Sequence, residues 1–308
     1  MIESQQPAQI DDEPDLRELF RALWAGKWLI AGVTFAAVVI AVLIALSIPN
    51  VYRAQALLAP NDDESSGGLS ALAAQYGGLA GLAGINIGGG STDKISLGLE
   101  TIRSRRFIAE FVEHRDILVP LLAATGWDAE SGELEIDSGA YDVATGEWVR
   151  DVSPGKSATP SSQEAYKAFR DVLSVSQNRK SGLVTISIDH YSPEVAKEWV
   201  DWLVEDINSS IMRHDVAVAE QAIEYLEGQI ESTSVAALQS IFFRLIEDKT
   251  KTVLLARVSD EYLLRTLDPA VVPEERLKPN RSLIVILGMM LGGLSGIAIT
   301  VVLNRLKQ

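Results

Sequence analysis

Few residues in this sequence have the types and spacing that catalysis requires. Gly155-Lys156-Ser157 resembles the end of a phosphate-binding loop, but Arg150 occupies the position where that motif needs a glycine. The three histidines are scattered and lack the spacing of zinc ligands. Asp189-His190 could form half of a catalytic triad, yet no Gly-x-Ser-x-Gly motif supplies a nucleophile. None of these patterns predicts an active site.

The acidic composition explains the remaining polar residues without assigning them a catalytic role. Glu133 and Glu135 could act as general acid and base, but the chain has 42 acidic and 27 basic residues, and solvated acidic surface explains such pairs more simply. The chain has no cysteine, which excludes thiol catalysis, cysteine-ligated zinc and disulfides. We therefore predict a non-enzymatic protein without a metal or a cofactor.

Two long apolar stretches are candidate membrane spans, and they would determine where the rest of the chain lies. Residues 282–303 carry no charge and, as a helix, would be about 33 Å long, enough to cross a bilayer core of about 30 Å. Residues 28–48 form a second such stretch. A signal peptide cleaved near Ala45-Leu46-Ser47 is the alternative for this stretch. Its apolar run is too long for a signal core and the segment before it is acid-rich, which favours an uncleaved anchor.

Three glycines of the second apolar stretch are spaced four residues apart: Gly288, Gly292 and Gly296. Residues at this spacing share one helix face, and small ones let another helix approach closely. We therefore predict that this face packs against another membrane helix, in a neighbouring subunit or a partner protein. The alternative is that glycine is simply common in spanning helices.

Charges beside the two stretches predict their orientation. Arg21 and Lys27 precede the first, and Arg305 and Lys307 follow the second. The positive-inside tendency then places both termini in the cytoplasm. Three basic residues flank the opposite side and argue against this orientation: Arg53, Lys278 and Arg281.

The region between the spans is strongly acidic. It holds 36 acidic and 22 basic residues, which disfavours nucleic acid as a partner and suits a solvated external domain. Its clearest strand covers residues 183–190, which are rich in β-branched side chains. Ser192-Pro193-Glu194 then predicts the start of a long helix, and a second helix over residues 235–256 would pack beside it.

Weaker patterns fill the remainder of this region. Residues 93–111 are predicted to form a helix that exposes Arg103, Arg105 and Arg106, either as a basic patch or as a solvated face. The other predicted elements are strands at 51–58, 134–136 and 147–150 and helices at 117–124 and 163–173. Residues 262–272 then return the chain to the membrane, and the prolines that follow prevent a regular helix before the last span.

These patterns predict an α+β membrane protein. Two terminal transmembrane helices flank a periplasmic α/β base domain with a projecting long-helix region. The predicted divisions are a cytoplasmic tail at 1–27, spans at 28–48 and 282–303, an external domain at 49–281 and a short tail at 304–308. Within the external domain, the base covers about 50–191 and 257–281 and the projection about 192–256. Residues 15–24 form either an amphipathic helix on the inner membrane surface or an extension of the first span.

Several short segments, taken in order between the two spans, resemble one family. They are the approach to the first span at 15–19 and 23–28, the junction at 192–196, a glycine-rich loop with Gly77, Gly78, Gly81 and Gly84, and a proline-rich segment with Pro269, Pro273 and Pro279. In this order they are similar to Wzz-type chain length determinants, the polysaccharide co-polymerases of Gram-negative bacteria.

The resemblance implies a function that composition does not. Such proteins form ring- or bell-shaped homo-oligomers in the bacterial inner membrane and have no known catalytic activity. They set the modal chain length of lipopolysaccharide O-antigen by acting with the O-antigen polymerase, and their partners include the growing lipid-linked polysaccharide. The prolines would then fix how the external domain sits on the last span.

Two other functions fit parts of the sequence. Some relatives serve capsule or exopolysaccharide export with a tyrosine kinase. This sequence has neither a kinase domain nor a tyrosine-rich tail after its last span, which favours the O-antigen branch, although a separate kinase remains an alternative. A periplasmic sensor with two spans is a weaker candidate, because the short segments outside the spans leave little room for an output module.

Overall fold

The computed structural model describes Trp24, residues 26–61 and residues 90–306. These residues form two compact units, one made of the terminal segments up to Pro49 and from Lys278, the other of Asn50–Leu277. The predicted amphipathic helix at 15–24, apart from Trp24, and the glycine-rich loop with Gly77, Gly78, Gly81 and Gly84 lie outside the described residues.

Helices and strands alternate along the described chain. The helices are α1 (Lys27–Ser47), α2 (Gly90–Ile102), α3 (Arg105–His114), α4 (Leu118–Leu122), α5 (Ser162–Val172), α6 (Pro193–Ser232), α7 (Ala236–Val258) and α8 (Arg281–Leu306). The strands are β1 (Val51–Pro60), β2 (Ala124–Trp127), β3 (Leu134–Ile136), β4 (Tyr141–Asp142), β5 (Glu147–Trp148), β6 (Leu173–Gln177), β7 (Val184–His190), β8 (Leu264–Asp268) and β9 (Arg276–Lys278).

The terminal unit consists of α1 and α8. Both helices are long and apolar enough to cross a membrane, by length and composition. Most of their side chains are exposed, as expected of helices that face lipid rather than a protein core.

The second unit is built on an antiparallel sheet. Its strands lie in the order β6-β7-β1-β8, and β9 also pairs with β1. In the central pair, Ala54 lies opposite Ile188 and Ala56 opposite Ile186, and all four side chains are buried. Small residues on β1 leave room for the helices that cover this face of the sheet. Two separate hairpins, β2–β3 and β4–β5, lie between α4 and α5.

Helices pack against the sheet to form one apolar core. Phe111 of α3, Phe169 of α5 and Trp199 of α6 are each almost fully buried and stack in sequence, with ring centroids 5.2 and 6.0 Å apart. Such offset aromatic contacts add about 0.5–1.5 kcal/mol beyond the burial of their area. The first half of α6 is therefore fixed to the core.

The start of α6 follows the prediction closely. The Ser192 side chain accepts a hydrogen bond from the Val195 amide, Pro193 occupies the first turn, and Glu194 lies beside the positive end of the helix dipole. The strand before it also agrees with the sequence pattern, since β7 ends at His190.

Other predicted elements differ from the structure. Residues 93–111 form two helices rather than one, because the Ser104 side chain accepts from the Phe107 amide and caps a new helix. The helix predicted at 117–124 covers only Leu118–Leu122, and the chain then enters β2. Residues 262–272 contain the strand β8, which the sequence pattern does not predict.

A single buried amide connects α6 to the sheet. Asn208 is 2% exposed, and its Oδ1 accepts hydrogen bonds from the amides of Leu263 (2.7 Å) and Leu264 (2.9 Å). Its Nδ2 donates to the carbonyl oxygens of Leu264 (3.1 Å) and Val204 (3.0 Å). All the strong hydrogen-bonding positions of the side chain are used. Asn208 therefore holds the start of β8 against the long helix.

We expect Asn208→Leu to lower the free energy of unfolding by about 3 kcal/mol, because a buried backbone group left without a partner costs about 1–3 kcal/mol and three would be affected. Urea unfolding of the detergent-solubilised chain, followed by tryptophan fluorescence, measures this change. Asn178→Ala is the control, since Asn178 is exposed and its side chain accepts from the Lys180 amide in a turn. A loss of stability as small for Asn208→Leu as for the control would contradict the role of Asn208.

Candidate functional site: a membrane-helix pair and a helix hairpin

The polar residues considered for catalysis have structural partners. The Asp189 carboxylate accepts two hydrogen bonds from the Arg53 guanidinium, at 2.6 and 2.8 Å. His190 is 4% exposed; the Ser192 amide donates to its Nδ1 (3.1 Å), and its Nε2 lies 3.1 Å from the Pro120 carbonyl oxygen. Both ring nitrogens are thus engaged by backbone groups, so neither is available to activate a nucleophile.

The same contacts define the protonation state of His190. Because Nδ1 accepts a hydrogen bond, the proton of the neutral ring lies on Nε2 and is donated to Pro120. Burial lowers the pKa of His190, although the bond from Nε2 to the Pro120 carbonyl oxygen acts in the opposite direction. A second proton would have to enter at Nδ1, where the Ser192 amide already points. The neutral ring therefore supports the residue that caps α6.

The remaining chemical candidates lie on the surface. Glu133 and Glu135 are exposed at and beside strand β3, and Lys156 is exposed after a turn in which Gly155 has a φ of 90°. Within the described ranges, no three or more histidine, aspartate or glutamate side chains are grouped so that they could hold a metal ion. The structure does not bring any of these residues together into a site.

The three glycines of α8 line the contact with α1. A Cβ added at Gly292 would lie 2.6 Å from the Ala37 Cβ and 3.0 Å from the Thr34 Cα, and one at Gly296 would lie 3.0 Å from the Ile30 Cα. Gly288 is in similarly close contact with Ala41. Distances this short leave no room for a side chain, so the two backbones touch. Within the described chain, the helix on this face is the chain's own first span rather than one from another protein.

Two threonines in the same helix pair satisfy their hydroxyls locally. Thr34 donates to the Ile30 carbonyl oxygen at 2.8 Å, and Thr300 donates to that of Gly296 at 2.8 Å. In a membrane, a hydroxyl without a partner costs several kcal/mol, so these intrahelical bonds allow polar residues at the contact. Gly293, the neighbour of Gly292, has only Thr34 nearby, 3.9 Å from an added Cβ.

The three prolines predicted before the last span lie between β8 and α8. Pro269 directly follows β8, Pro273 lies in the loop before β9, and Pro279 lies two residues before the first residue of α8. The Lys278-Pro279 peptide is cis. Asn280 then caps α8, because its side chain accepts from the Leu283 amide at 3.3 Å.

Helices α6 and α7 form a hairpin that extends beyond the core. The buried residues of α6 lie between Pro193 and Ile211, apart from Ala219, and those of α7 are Val253 and Ala256. At the turn, the Gln239 side chain donates to the carbonyl oxygens of Thr233 and Ile230. The outer half of the hairpin is therefore held by little more than the contact between its two helices.

This outer part of the hairpin exposes large apolar side chains. Tyr225 is 68% exposed on α6, and Phe243 is 58% exposed on α7. The sequence pattern predicted apolar residues along both helices but did not show that so many would be exposed in the described part of the chain. An apolar surface of this kind is typical of a contact between proteins. The other exposed members in this outer part are Val218, Val235, Leu238, Ile241 and Leu245.

Comparisons with known proteins gave matches to two family models and to solved structures. Residues 12–114 match the family model Wzz, chain length determinant protein, and residues 232–305 match the model GNVR, a "G-rich domain on putative tyrosine kinase". No curated protein matches the sequence.

A solved "full-length bacterial polysaccharide co-polymerase" is similar over 95% of this chain and 98% of its own, with 15% identity and a TM-score of 0.40. A fragment of WzzB, a polysaccharide co-polymerase from Salmonella Typhimurium, is similar over 74% of this chain and 100% of its own, with 15% identity and a TM-score of 0.30.

The elements define the class of protein. Two terminal apolar helices, a mixed sheet-and-helix unit and a long-helix region make this a membrane-anchored α+β protein, which confirms the predicted fold class. The family match over residues 12–114 confirms the resemblance to Wzz-type proteins. Members of this family are regulatory rather than catalytic, and the two matches support a function as a polysaccharide chain-length co-polymerase.

The lowered pKa of His190 predicts that stability depends on pH. Below about pH 6.5 the unfolded chain binds a proton that the folded ring resists, so the free energy of unfolding falls with pH, by at most about 1.4 kcal/mol per unit. Urea unfolding between pH 7.5 and 5.5 measures the slope. His190→Gln should remove this contribution, whereas His214→Gln, at an exposed position on α6, should keep it. Identical slopes for the two variants would argue against the assignment.

A carboxylate contributes in a lower and separate pH range. The hydrogen bonds from Arg150 lower the pKa of Glu164 to about 2. Its stabilisation is present above the unfolded value of about 4.3 and is lost as pH falls toward 2. It therefore does not interfere with the window used for His190.

Gly292→Leu should separate α8 from α1, because a large side chain would meet the Thr34 backbone. The chain has no natural cysteine, so Thr34→Cys combined with Gly293→Cys provides a disulfide probe of the contact. We expect Gly292→Leu to slow disulfide formation several-fold, measured by loss of reactive thiols after mild oxidation. Gly32→Leu is the control, since nothing lies within 4 Å of a Cβ there. Equal rates in the two variants would show that the glycine face is not needed for the contact.

Proposed function

We propose that this chain is a non-enzymatic inner-membrane polysaccharide co-polymerase that regulates the modal chain length of lipopolysaccharide O-antigen. The observation that carries the proposal is the match of residues 12–114 to the chain length determinant family. The structural partners of Asp189 and His190 are consistent with a function that needs no catalytic group.

Assembly into a homo-oligomer is the proposed basis of this function. The exposed apolar side chains of the α6–α7 hairpin, such as Tyr225 and Phe243, support it, because a subunit that leaves this surface in water loses stabilisation that a neighbouring copy can supply. A ring or bell of copies would present one surface many times to the O-antigen polymerase and to the growing lipid-linked polysaccharide. Chain length would then depend on how long the polymer stays engaged.

The proposed topology follows from the charges at the ends of the spans. Arg21 and Lys27 on one side, and Arg305 and Lys307 on the other, support cytoplasmic termini and a periplasmic main domain. We keep the predicted divisions as part of this proposal: an external domain at 49–281 with a base at about 50–191 and 257–281 and a projection at about 192–256.

A second candidate is favoured by a specific observation. The segment 232–305 matches a domain described from tyrosine kinases, so this chain could instead serve capsule or exopolysaccharide export together with a separate tyrosine kinase. The two candidates share the assembly and the membrane topology but differ in the polysaccharide whose length is set.

Gel analysis of surface polysaccharides from cells with and without the gene tests the proposal. We expect deletion to convert a lipopolysaccharide ladder with clustered chain lengths into a smoothly decaying one, and the wild-type gene to restore the cluster. Restoration by Gly32→Leu but a shifted cluster with Gly292→Leu, at equal protein levels, would connect length control to the membrane-helix contact.

The other outcomes separate the candidates. An unchanged lipopolysaccharide ladder together with altered capsule or exopolysaccharide would favour the second candidate. If no surface polysaccharide changed, both candidates would be wrong.

A further inference from the structure

A groove runs between α3 and α6 on the external unit. It consists of two adjoining cavities of about 600 and 410 Å³. Four residues line both cavities, Phe107 and Glu110 from α3 and Ser210 and Arg213 from α6, so the two are parts of one groove. Its size lies in the range of pockets that bind small ligands or short polymer segments. We call it the α3–α6 groove.

Facing helices line this groove with polar side chains at matched spacing. The side chains from α3 are Glu110, Glu113 and His114, and those from α6 are Ser210, Arg213 and His214. On each helix the spacing is i, i+3 and i+4, which places the three on one face. The two rows therefore meet across the groove.

Most of these groups have no partner among the residues that the structure describes. In the described part of the chain, the side chains of Glu113, Ser210 and Arg213 make no hydrogen bond or ion pair, and the same holds for both histidines. The exceptions are carboxylates at the edges: Glu110 accepts from Arg106 at 2.8 Å, and Asp206 accepts from Arg115 at 2.6 Å. Donors and acceptors are thus presented together on one surface.

The charge in the groove is close to balanced. Arg106 pairs with Glu110, Arg115 is shared between Asp206 and Glu205, and Glu113 and Arg213 carry opposite charges. A polyanion would meet at least as many carboxylates as cations and would gain little from such a surface. A ligand rich in hydroxyl groups suits it better, because each hydroxyl both donates and accepts hydrogen bonds.

The apolar part of the groove argues against a protein helix as the occupant. Phe107 and Phe111 form its floor with ring centroids 6.4 Å apart, but both are almost fully buried. Of the large exposed apolar side chains in the described ranges, Leu97 alone lines the groove. A docking helix needs an apolar groove to receive its apolar face. Here the accessible surface is mainly polar.

We infer that the α3–α6 groove binds a short segment of the polysaccharide whose length the protein sets, through the hydroxyl groups of uncharged sugars. This inference rests on the proposed function. Glu113 would accept hydrogen bonds from sugar hydroxyls, Arg213 would donate to them, and Ser210 would do either. Binding along a groove rather than in a closed pocket would hold a chain that continues in both directions.

Direct binding tests this assignment. The full-length protein in detergent is titrated with polysaccharide taken from its own cells, freed of lipid and cut to a few repeat units, and saturation-transfer NMR detects the bound glycan. We expect saturable binding to the wild type. Arg213→Ala should lower the affinity about tenfold, since a hydrogen bond to a charged group contributes about 1.5–3 kcal/mol. Ser210→Trp should abolish measurable binding, because the new side chain fills the shared part of the groove.

Matched controls lie on α7, outside the groove. Arg244→Ala and Ser240→Trp change the same residue types at exposed positions and should bind like the wild type. If Ser210→Trp does not fold, Arg213→Ala still decides the question, because the Arg213 side chain is exposed and supports no other group.

Three results would overturn the inference. They are an absence of saturable binding to the wild type, equal affinity in Arg213→Ala and Arg244→Ala, and a change in oligomer size without a change in glycan affinity, which would make the groove a contact between subunits. Gene deletion tests the proposed function separately. A ladder that collapses on deletion, with glycan affinity unaffected by Arg213→Ala, would leave the proposed function standing and remove only this inference.

Discussion

The hydrogen bonds of the buried Asn208 side chain are the interaction on which the second unit, Asn50–Leu277, most depends. The chain leaves the core along α6, turns, returns along α7 and must then re-enter the sheet as β8 beside β1. The closing of this long excursion costs entropy that grows with its length. Asn208 offsets that cost where the excursion closes, by bonding to both the amides and the carbonyl that begin β8. An apolar residue could fill the same space, but it would leave these backbone groups buried without partners.

Further along α6 than Asn208, few buried contacts among the described residues stabilise the α6–α7 hairpin. The last buried residue of the continuous core on α6 is Ile211, after which Ala219 alone is buried up to Ser232. Isolated helix pairs are held by the apolar surface they bury, and here much of that surface faces outward. The outer hairpin therefore has two sources of order, its root in the core and whatever covers Tyr225, Phe243 and their neighbours. Self-association is the simplest source of the second, because every copy carries the same surface.

The sequence predicted those elements that are determined by residues close together in the chain. The two uncharged stretches, the β-branched run of β7 and the Ser192-Pro193 cap all act within a few residues, and the structure has each of them. The sequence did not predict β6 or β8, since both are short strands whose order comes from pairing with distant partners. Asn208 was missed for the same reason: a polar residue within a long helix does not indicate that residues 263 and 264 will need its amide. The spacing of Gly288, Gly292 and Gly296 predicts a packing face, and the structure places α1 beside it, but spacing carries no information about which helix lies there.

The two ends of the core portion of α6 are fixed by different polar contacts. At its start, neutral His190 accepts from the Ser192 amide, and Ser192 caps the helix; further along, Asn208 ties the helix to β8. Near and just beyond Asn208, between Asp206 and His214, the helix also forms one wall of the α3–α6 groove, with Arg115 bridging from the end of α3 to Glu205 and Asp206. This wall includes Ile211, the last residue of the continuous core on α6, whereas the exposed apolar side chains of the outer hairpin lie further from the core. A polar surface next to the core suits the repeated binding of a uniform polymer, and a less supported apolar one suits adjustment to neighbouring subunits. The same helix can thus serve both tasks because its anchoring changes along its length.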